Sequence, residues 1–198
     1  MRRDCAALLQ STTVVGWFAS SHVDLEGLLS DHLHCERKAA ENALSLVRRY
    51  PGDAVTTERL ARLAHEETSH LTQVAALLER RRLRLRPDTP NYYARGLLAE
   101  VRGNEPDRRI DAFLCAALIE ARSHERLGLL SVGFAERADP ELADFFAALA
   151  GAEERHAELF IELAERGSSP HAVAQRLDEL AAREAEIVAR LPAAARVH

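Results

Sequence analysis

The sequence predicts an all-α fold, a four-helix bundle with one long crossover connection and an additional C-terminal helix. Three observations carry this. Apolar residues recur at helical spacing through most of the chain, and nothing alternates with period two for long enough to suggest a sheet. The composition is 47% hydrophobic but only 5% aromatic, with much Ala, Leu and Arg, as expected of helices packed on helices. A unit of one Glu followed, a helical hairpin later, by Glu-x-x-His is written twice: Glu36 with Glu67 and His70, then Glu120 with Glu153 and His156. At 198 residues the chain suits a single domain, residues 1–198, with a lead-in at 1–21, a bundle at 22–167 and a C-terminal helix at 170–190.

The elements follow in order. Residues 1–21 are a lead-in of mixed character, in which Trp17 and Phe18 are expected to dock on the bundle. A first long helix is predicted over about 22–50, stopped by Pro51-Gly52. The second is expected from Thr56 or Thr57, either a suitable N-cap, to about Arg82. Residues 83–107 hold Pro87, Pro90, Gly96, Gly103 and Pro106, and are too long for an idle connection, so they read as a crossover or a functional loop. The third helix is expected over about 107–137. Asp139-Pro140 supplies a cap and a first-turn proline for the fourth, which ends near Gly167. Ser169-Pro170 repeats that start signal for a fifth helix to about Arg190, whose Leu177, Leu180, Ala181, Ile187 and Leu191 would cover one side of the bundle. Residues 192–198 read as a frayed tail.

Spacing places each Glu-x-x-His pair on one helix face. All four glutamates fall in apolar stripes: Glu36 among Leu29, Leu33, Ala40, Ala43 and Val47, and Glu67 among Leu60, Leu63, Ala64, Leu71, Val74 and Leu78. Glu120 lies among Phe113, Ala116, Ala117, Leu127 and Leu130, and Glu153 among Phe146, Leu149, Ala150, Ala157 and Phe160. A lone carboxylate there would cost several kcal/mol or stay protonated. Two divalent cations would offset four such charges. Four carboxylates and two imidazoles in this arrangement are the ligand set of a ferritin-like di-iron or di-manganese bundle. The plainer reading is buried ion pairs with arginine, or hydrated glutamates on loosely packed helices.

A net charge of −5 argues against wholesale coating of nucleic acid, although local basic patches can still bind phosphate. Lys38 is the only lysine, which reflects base composition as readily as function. Cys5, Cys35 and Cys115 form no C-x-x-C pair and suit a reduced cytoplasm. Arg2 and Arg3 precede an apolar run broken at Gln10-Ser11-Thr12-Thr13, a poor signal peptide, and no segment reaches transmembrane length. A Walker A loop, G-x-G-x-x-G and G-x-S-x-G are all absent, so nucleotide-hydrolase and serine-hydrolase readings have no support.

The wording around two of the glutamates is distinctive. Ser30-Asp31-His32-Leu33-His34-Cys35-Glu36-Arg37-Lys38-Ala39-Ala40 resembles the first metal-bearing helix of the tRNA 2-methylthio-N6-isopentenyladenosine hydroxylases, and Ala117-Leu118-Ile119-Glu120-Ala121-Arg122-Ser123-His124-Glu125-Arg126 resembles the third. The lead-in Leu8-Leu9-Gln10-Ser11-Thr12 with Trp17 is similar too, so the likeness covers about residues 8–167. It implies a non-haem di-iron monooxygenase that hydroxylates an isopentenyl group beside the tRNA anticodon. The implied cofactors are two iron ions, with O2 as co-substrate and two electrons from an external donor. Glu36, Glu67, His70, Glu120, Glu153 and His156 would be the iron ligands. The implied partners are the tRNA anticodon stem-loop and a reductase, with no membrane, and the protein a cytoplasmic monomer or small oligomer. His124 departs from the family's wording; it is either a partner or extra ligand beside Glu120, or a structural histidine at the bundle edge.

For tRNA contact the candidates are Arg80, Arg81, Arg82, Arg84, Arg86 and Arg95, with Arg102, Arg108 and Arg109, interleaved with Tyr92 and Tyr93, which would stack on a base. The alternative is a solvated helix end whose arginines complement the helix dipole. A ferroxidase or other ferritin-like iron-binding protein would use the same metal ligands in a large shell. A peroxide-reducing rubrerythrin-like protein would carry a Cys-rich iron module, which this sequence lacks.

Overall fold

A computed structural model describes residues 5–191 together with 196 and 197. Among these the only regular elements are helical: short 3-10 turns at Cys5–Leu8 and His22–Asp24, and helices α1 (Trp17–Ser21), α2 (Leu25–Arg49), α3 (Ala54–Arg80), α4 (Tyr92–Leu98), α5 (Asp107–Glu136), α6 (Pro140–Glu165) and α7 (Pro170–Arg190). The predicted class holds, with four long helices in two hairpins, a long connection and a further C-terminal helix. Two compact units divide the chain: Ala19–Pro90 with the returning Ala195–Val197, and the remainder, containing α4 to α7.

The first unit is the α2–α3 hairpin. The Asp24 side chain caps α2 by accepting from the Gly27 amide. Asp53, rather than either predicted threonine, caps α3 by accepting from the Val55 and Thr56 amides, so the helix starts two residues earlier than Thr56. Buried positions on α3 run Thr56, Leu60, Leu63, Ala64, Glu67, His70, Val74, Leu77 and Leu78, a single stripe at three- and four-residue spacing. Of the apolar neighbours expected around Glu36 and Glu67, Ala40, Val47 and Leu71 are only half-buried.

Residues 83–90 form an extended strap along α2. Glu26 accepts from the Arg84 amide, Arg86 Nη1 donates to Asp24 at 2.7 Å, and Asp88 accepts from Arg37 and Lys38. The expected frayed tail is corrected where it is described, its other residues lying outside the described ones. Arg196 donates to the Pro90 carbonyl and Thr89 hydroxyl, and the fully buried Val197 donates its amide to Asp31.

In the second unit α5 is buried around most of its circumference between Ile110 and Leu130. That is the signature of a helix covered on several sides. Antiparallel α6 packs along it, and α4, α7 and the N-terminal 3-10 turn add cover. Capping is as predicted: Asp139 for α6 and Ser169 for α7, each followed by proline. Within the connection, α4 is a helix that the Pro and Gly content did not suggest; Asn91 caps it and the fully buried Leu97 anchors it. Trp17 and Phe18 dock as expected, Trp17 under the Arg126 guanidinium and Phe18 edge-on to Phe134.

Candidate metal centre

Each unit assembles one copy of the repeated Glu, Glu-x-x-His. In the α2–α3 hairpin, ligand atoms of Glu36, Glu67 and His70 lie within 4.8 Å of one another. His70 Nδ1 is 3.4 Å from Glu36 Oε2 and 3.5 Å from Glu67 Oε2. In the α5–α6 hairpin, Glu120, Glu153 and His156 lie within the same limit, with His156 Nδ1 3.7 Å from Glu153 Oε2. All six side chains are buried. Helical phase explains why: each lies in the stripe that its hairpin turns inward.

The donor set suits transition-metal ions. Donors about 2.0–2.2 Å from an ion and roughly 90–110° apart around it sit about 2.8–3.6 Å from one another. The two His70 distances fall in that range, and the Glu153–His156 separation is slightly wider. Carboxylate oxygen with imidazole nitrogen is a donor mix that iron, manganese and zinc accept. Burial alone would push the His70 imidazole down, but its hydrogen bonds and charge interactions with Glu36 and Glu67 raise it to about 10. The negative charge behind that rise is what a divalent cation would offset.

Other sequence candidates divide. His124 bridges α5 to α6, its Nδ1 2.8 Å from the Ala150 carbonyl one turn before Glu153. A carbonyl only accepts, so Nδ1 carries the proton. Tyr93 is corrected as a stacking residue: it is 1% exposed, and its hydroxyl donates to Glu184 in the core. Arg86 is committed to Asp24 and Glu26, and Arg102 to Asp107 and the buried Asp111. Arg109 lies over the Phe113 ring. Arg80, Arg82, Arg84, Arg95, Arg108 and Tyr92 are exposed, Arg81 is half-buried, and the Arg95 guanidinium lies 5.7 Å from the Tyr92 ring centre.

Three features went unread in the sequence. His32 Nε2 lies 2.6 Å from Glu36 Oε1, with both side chains buried. Arg122, fully buried, donates to Glu184, Glu125, Ser11 and Thr13 and so ties the lead-in to α5 and α7. Asp111 is gripped by Arg102 and Arg176. The available signal was an ionisable residue inside an apolar stripe, the same signal that marked the glutamates.

Helix order and the two buried triads define a ferritin-like, all-helical protein with carboxylate–histidine groups suited to metal ions. The model of the family described as tRNA-(MS[2]IO[6]A)-hydroxylase (MiaE) matches residues 1–198, and the chain belongs to that family. It is 36% identical over 182 residues to the tRNA 2-(methylsulfanyl)-N(6)-isopentenyladenosine(37) hydroxylase of Pseudomonas putida, covering 92% of this chain and 87% of the relative. The Salmonella typhimurium protein of the same name is 30% identical over 189 residues, covering 72% of this chain and 68% of the relative. A solved Synechococcus structure, described as protein 43 with aldehyde deformylating oxygenase activity, superposes with a TM-score of 0.88 at 36% identity, covering 96% of this chain and 95% of that one. Among the described residues no helix is long and apolar enough to cross a membrane.

Proposed function

We propose that this chain hydroxylates the isopentenyl group of 2-methylthio-N6-isopentenyladenosine beside the tRNA anticodon, using O2 and two electrons from an external donor. Family membership over residues 1–198 supports the reaction and the tRNA substrate. The observation that carries the chemistry is the pair of buried Glu–Glu–His triads with donor spacings of 3.4–3.7 Å. Glu36, Glu67 and His70, with Glu120, Glu153 and His156, would be the six ligands of a two-metal carboxylate site. Two ferrous ions held there would supply O2 reduction and oxidation of an allylic C–H bond.

The protein's share is positioning and exclusion. Four carboxylates offset the metal charge, and two imidazoles leave coordination positions for a co-substrate. Close packing around the triads, from Leu33, Ala43, Leu63 and Val74 on one hairpin and Phe113, Ala117, Phe146 and Phe160 on the other, keeps bulk water off the ligands. The exposed Arg82, Arg84, Arg95 and Arg108 are the candidate phosphate contacts, and Tyr92 is the candidate stacking ring. A tRNA substrate puts the work in the cytoplasm. Nucleoside mass spectrometry of tRNA from a host lacking and then regaining the gene tests this: the hydroxylated nucleoside should vanish and return. Its persistence without the gene would overturn the assignment.

A further inference from the structure

The two copies of the ligand unit are not equivalent, and the difference lies one helical turn before the first glutamate. On α2 that position is His32, whose Nε2 lies 2.6 Å from Glu36 Oε1. On α5 the matching position before Glu120 is Ala116, which has no polar side-chain atom. His32 and Glu36 are 1% and 3% exposed. Their hydrogen bond is therefore shielded from water and is stronger than it would be at the surface.

A carboxylate only accepts, so His32 Nε2 carries the proton. The two oxygens of Glu36 then have separate surroundings: Oε1 accepts from His32, and Oε2 lies 3.4 Å from His70 Nδ1. We infer that His32 is a positioning residue that fixes the Glu36 carboxylate, so that it offers Oε2 alone to a metal ion and strengthens metal binding at the Glu36 half-site. The inference rests on Glu36 being a metal ligand. The matching position before Glu120 is Ala116, which cannot make this hydrogen bond. Hydrogen-bond partners of metal ligands typically contribute 10–100-fold in metal affinity.

Anaerobic titration of the full chain with Co(II), followed by visible absorption, tests this without catalysis. Wild-type protein should bind two equivalents. His32→Met keeps volume but removes the donor, and should weaken one binding step about 10–100-fold while leaving the other unchanged. His32→Gln restores an N–H and should recover most of the loss. Should His32→Met not fold, 15N–1H NMR of Zn(II)-loaded wild-type protein, with the ring assigned by its absence in His32→Gln, gives an independent reading. Protonation at Nε2 is expected, and an unprotonated Nε2 would overturn the inference. So would Co(II) steps in folded His32→Met equal to wild type, or a His32→Gln protein as weak as His32→Met. Wild-type protein that binds no Co(II) would instead refute Glu36 as a ligand.

Discussion

The Arg122 guanidinium donates to both carboxylate oxygens of Glu184, Nε at 2.9 Å and Nη2 at 3.0 Å, and neither side chain has exposed surface. Arg122 also donates to the Ser11 carbonyl, and Glu125 accepts from the Thr13 amide. One buried ion pair thus fastens α5, α7 and the lead-in. Removing one partner leaves the other charge buried and unpaired. Arg122→Met should therefore cost about 3–5 kcal/mol in urea unfolding, and adding Glu184→Met should recover part of that loss. A single variant as stable as wild type would show the pair to be dispensable.

Asp111 gives the stability a defined acid dependence. Burial pushes its carboxyl up, but hydrogen bonds from Arg102 and Arg176 outweigh burial and hold it at about 2, against an ordinary 3.8. A carboxylate lowered in the folded state stabilises above its unfolded pKa, and that stabilisation is lost as pH falls through the folded value. About 2 kcal/mol present at neutral pH should disappear between roughly pH 4 and pH 2. Asp111→Asn should lower stability at pH 7 by at least about that amount and flatten this part of the profile. A variant whose acid limb matches wild type would contradict the assignment.

Two helix ends hold a residue with a side chain where glycine is usual. Arg82 has φ 56° and Ala138 has φ 58°, each just past a long helix, with the Leu83 and Asp139 amides reaching back to the Leu78 and Phe134 carbonyls. Left-handed backbone costs an L-residue roughly 1 kcal/mol that glycine does not incur. Ala138→Gly should raise stability by about 0.5–1 kcal/mol, and Ala138→Val should lower it. Equal midpoints for all three proteins would remove the strain argument.

What the sequence disclosed and what it hid have a common cause. Helical periodicity is a property of neighbouring residues, so the long helices, the Asp139 and Ser169 caps and all six buried side chains of the two triads could be read from spacing. Partners distant in sequence could not. Tyr93 looks like a surface aromatic until Glu184, 91 residues later, is found against its hydroxyl. Arg86 looks like a free cation until Asp24 and Glu26 are found beside it. His32 was within reach, since it shares a face with Glu36 at four-residue spacing.

Arg82 and Arg84 are exposed, and charge reversal at both should weaken tRNA binding while leaving metal content unchanged. Each lost phosphate contact lowers the slope of log affinity against log salt by about one. An unchanged slope in the Arg82→Glu, Arg84→Glu protein would return both to the role of solvated helix-end charges.

Glu67→Ala and Glu153→Ala each remove a buried carboxylate from one triad. Each variant should keep its helical content, lose most metal at one position and lose hydroxylation. Full metal content in either would remove that residue from the ligand set.

O2-dependent hydroxylation of tRNA by the two triads, rather than iron storage, is the function proposed above. It is tested most directly by a single turnover of chemically reduced, iron-loaded protein with isopentenylated tRNA under 18O-labelled dioxygen. One labelled oxygen atom should appear in the isopentenyl group of the product nucleoside, with no product formed without O2. Unlabelled product, or untouched tRNA from a protein that instead mineralises added iron, would contradict it.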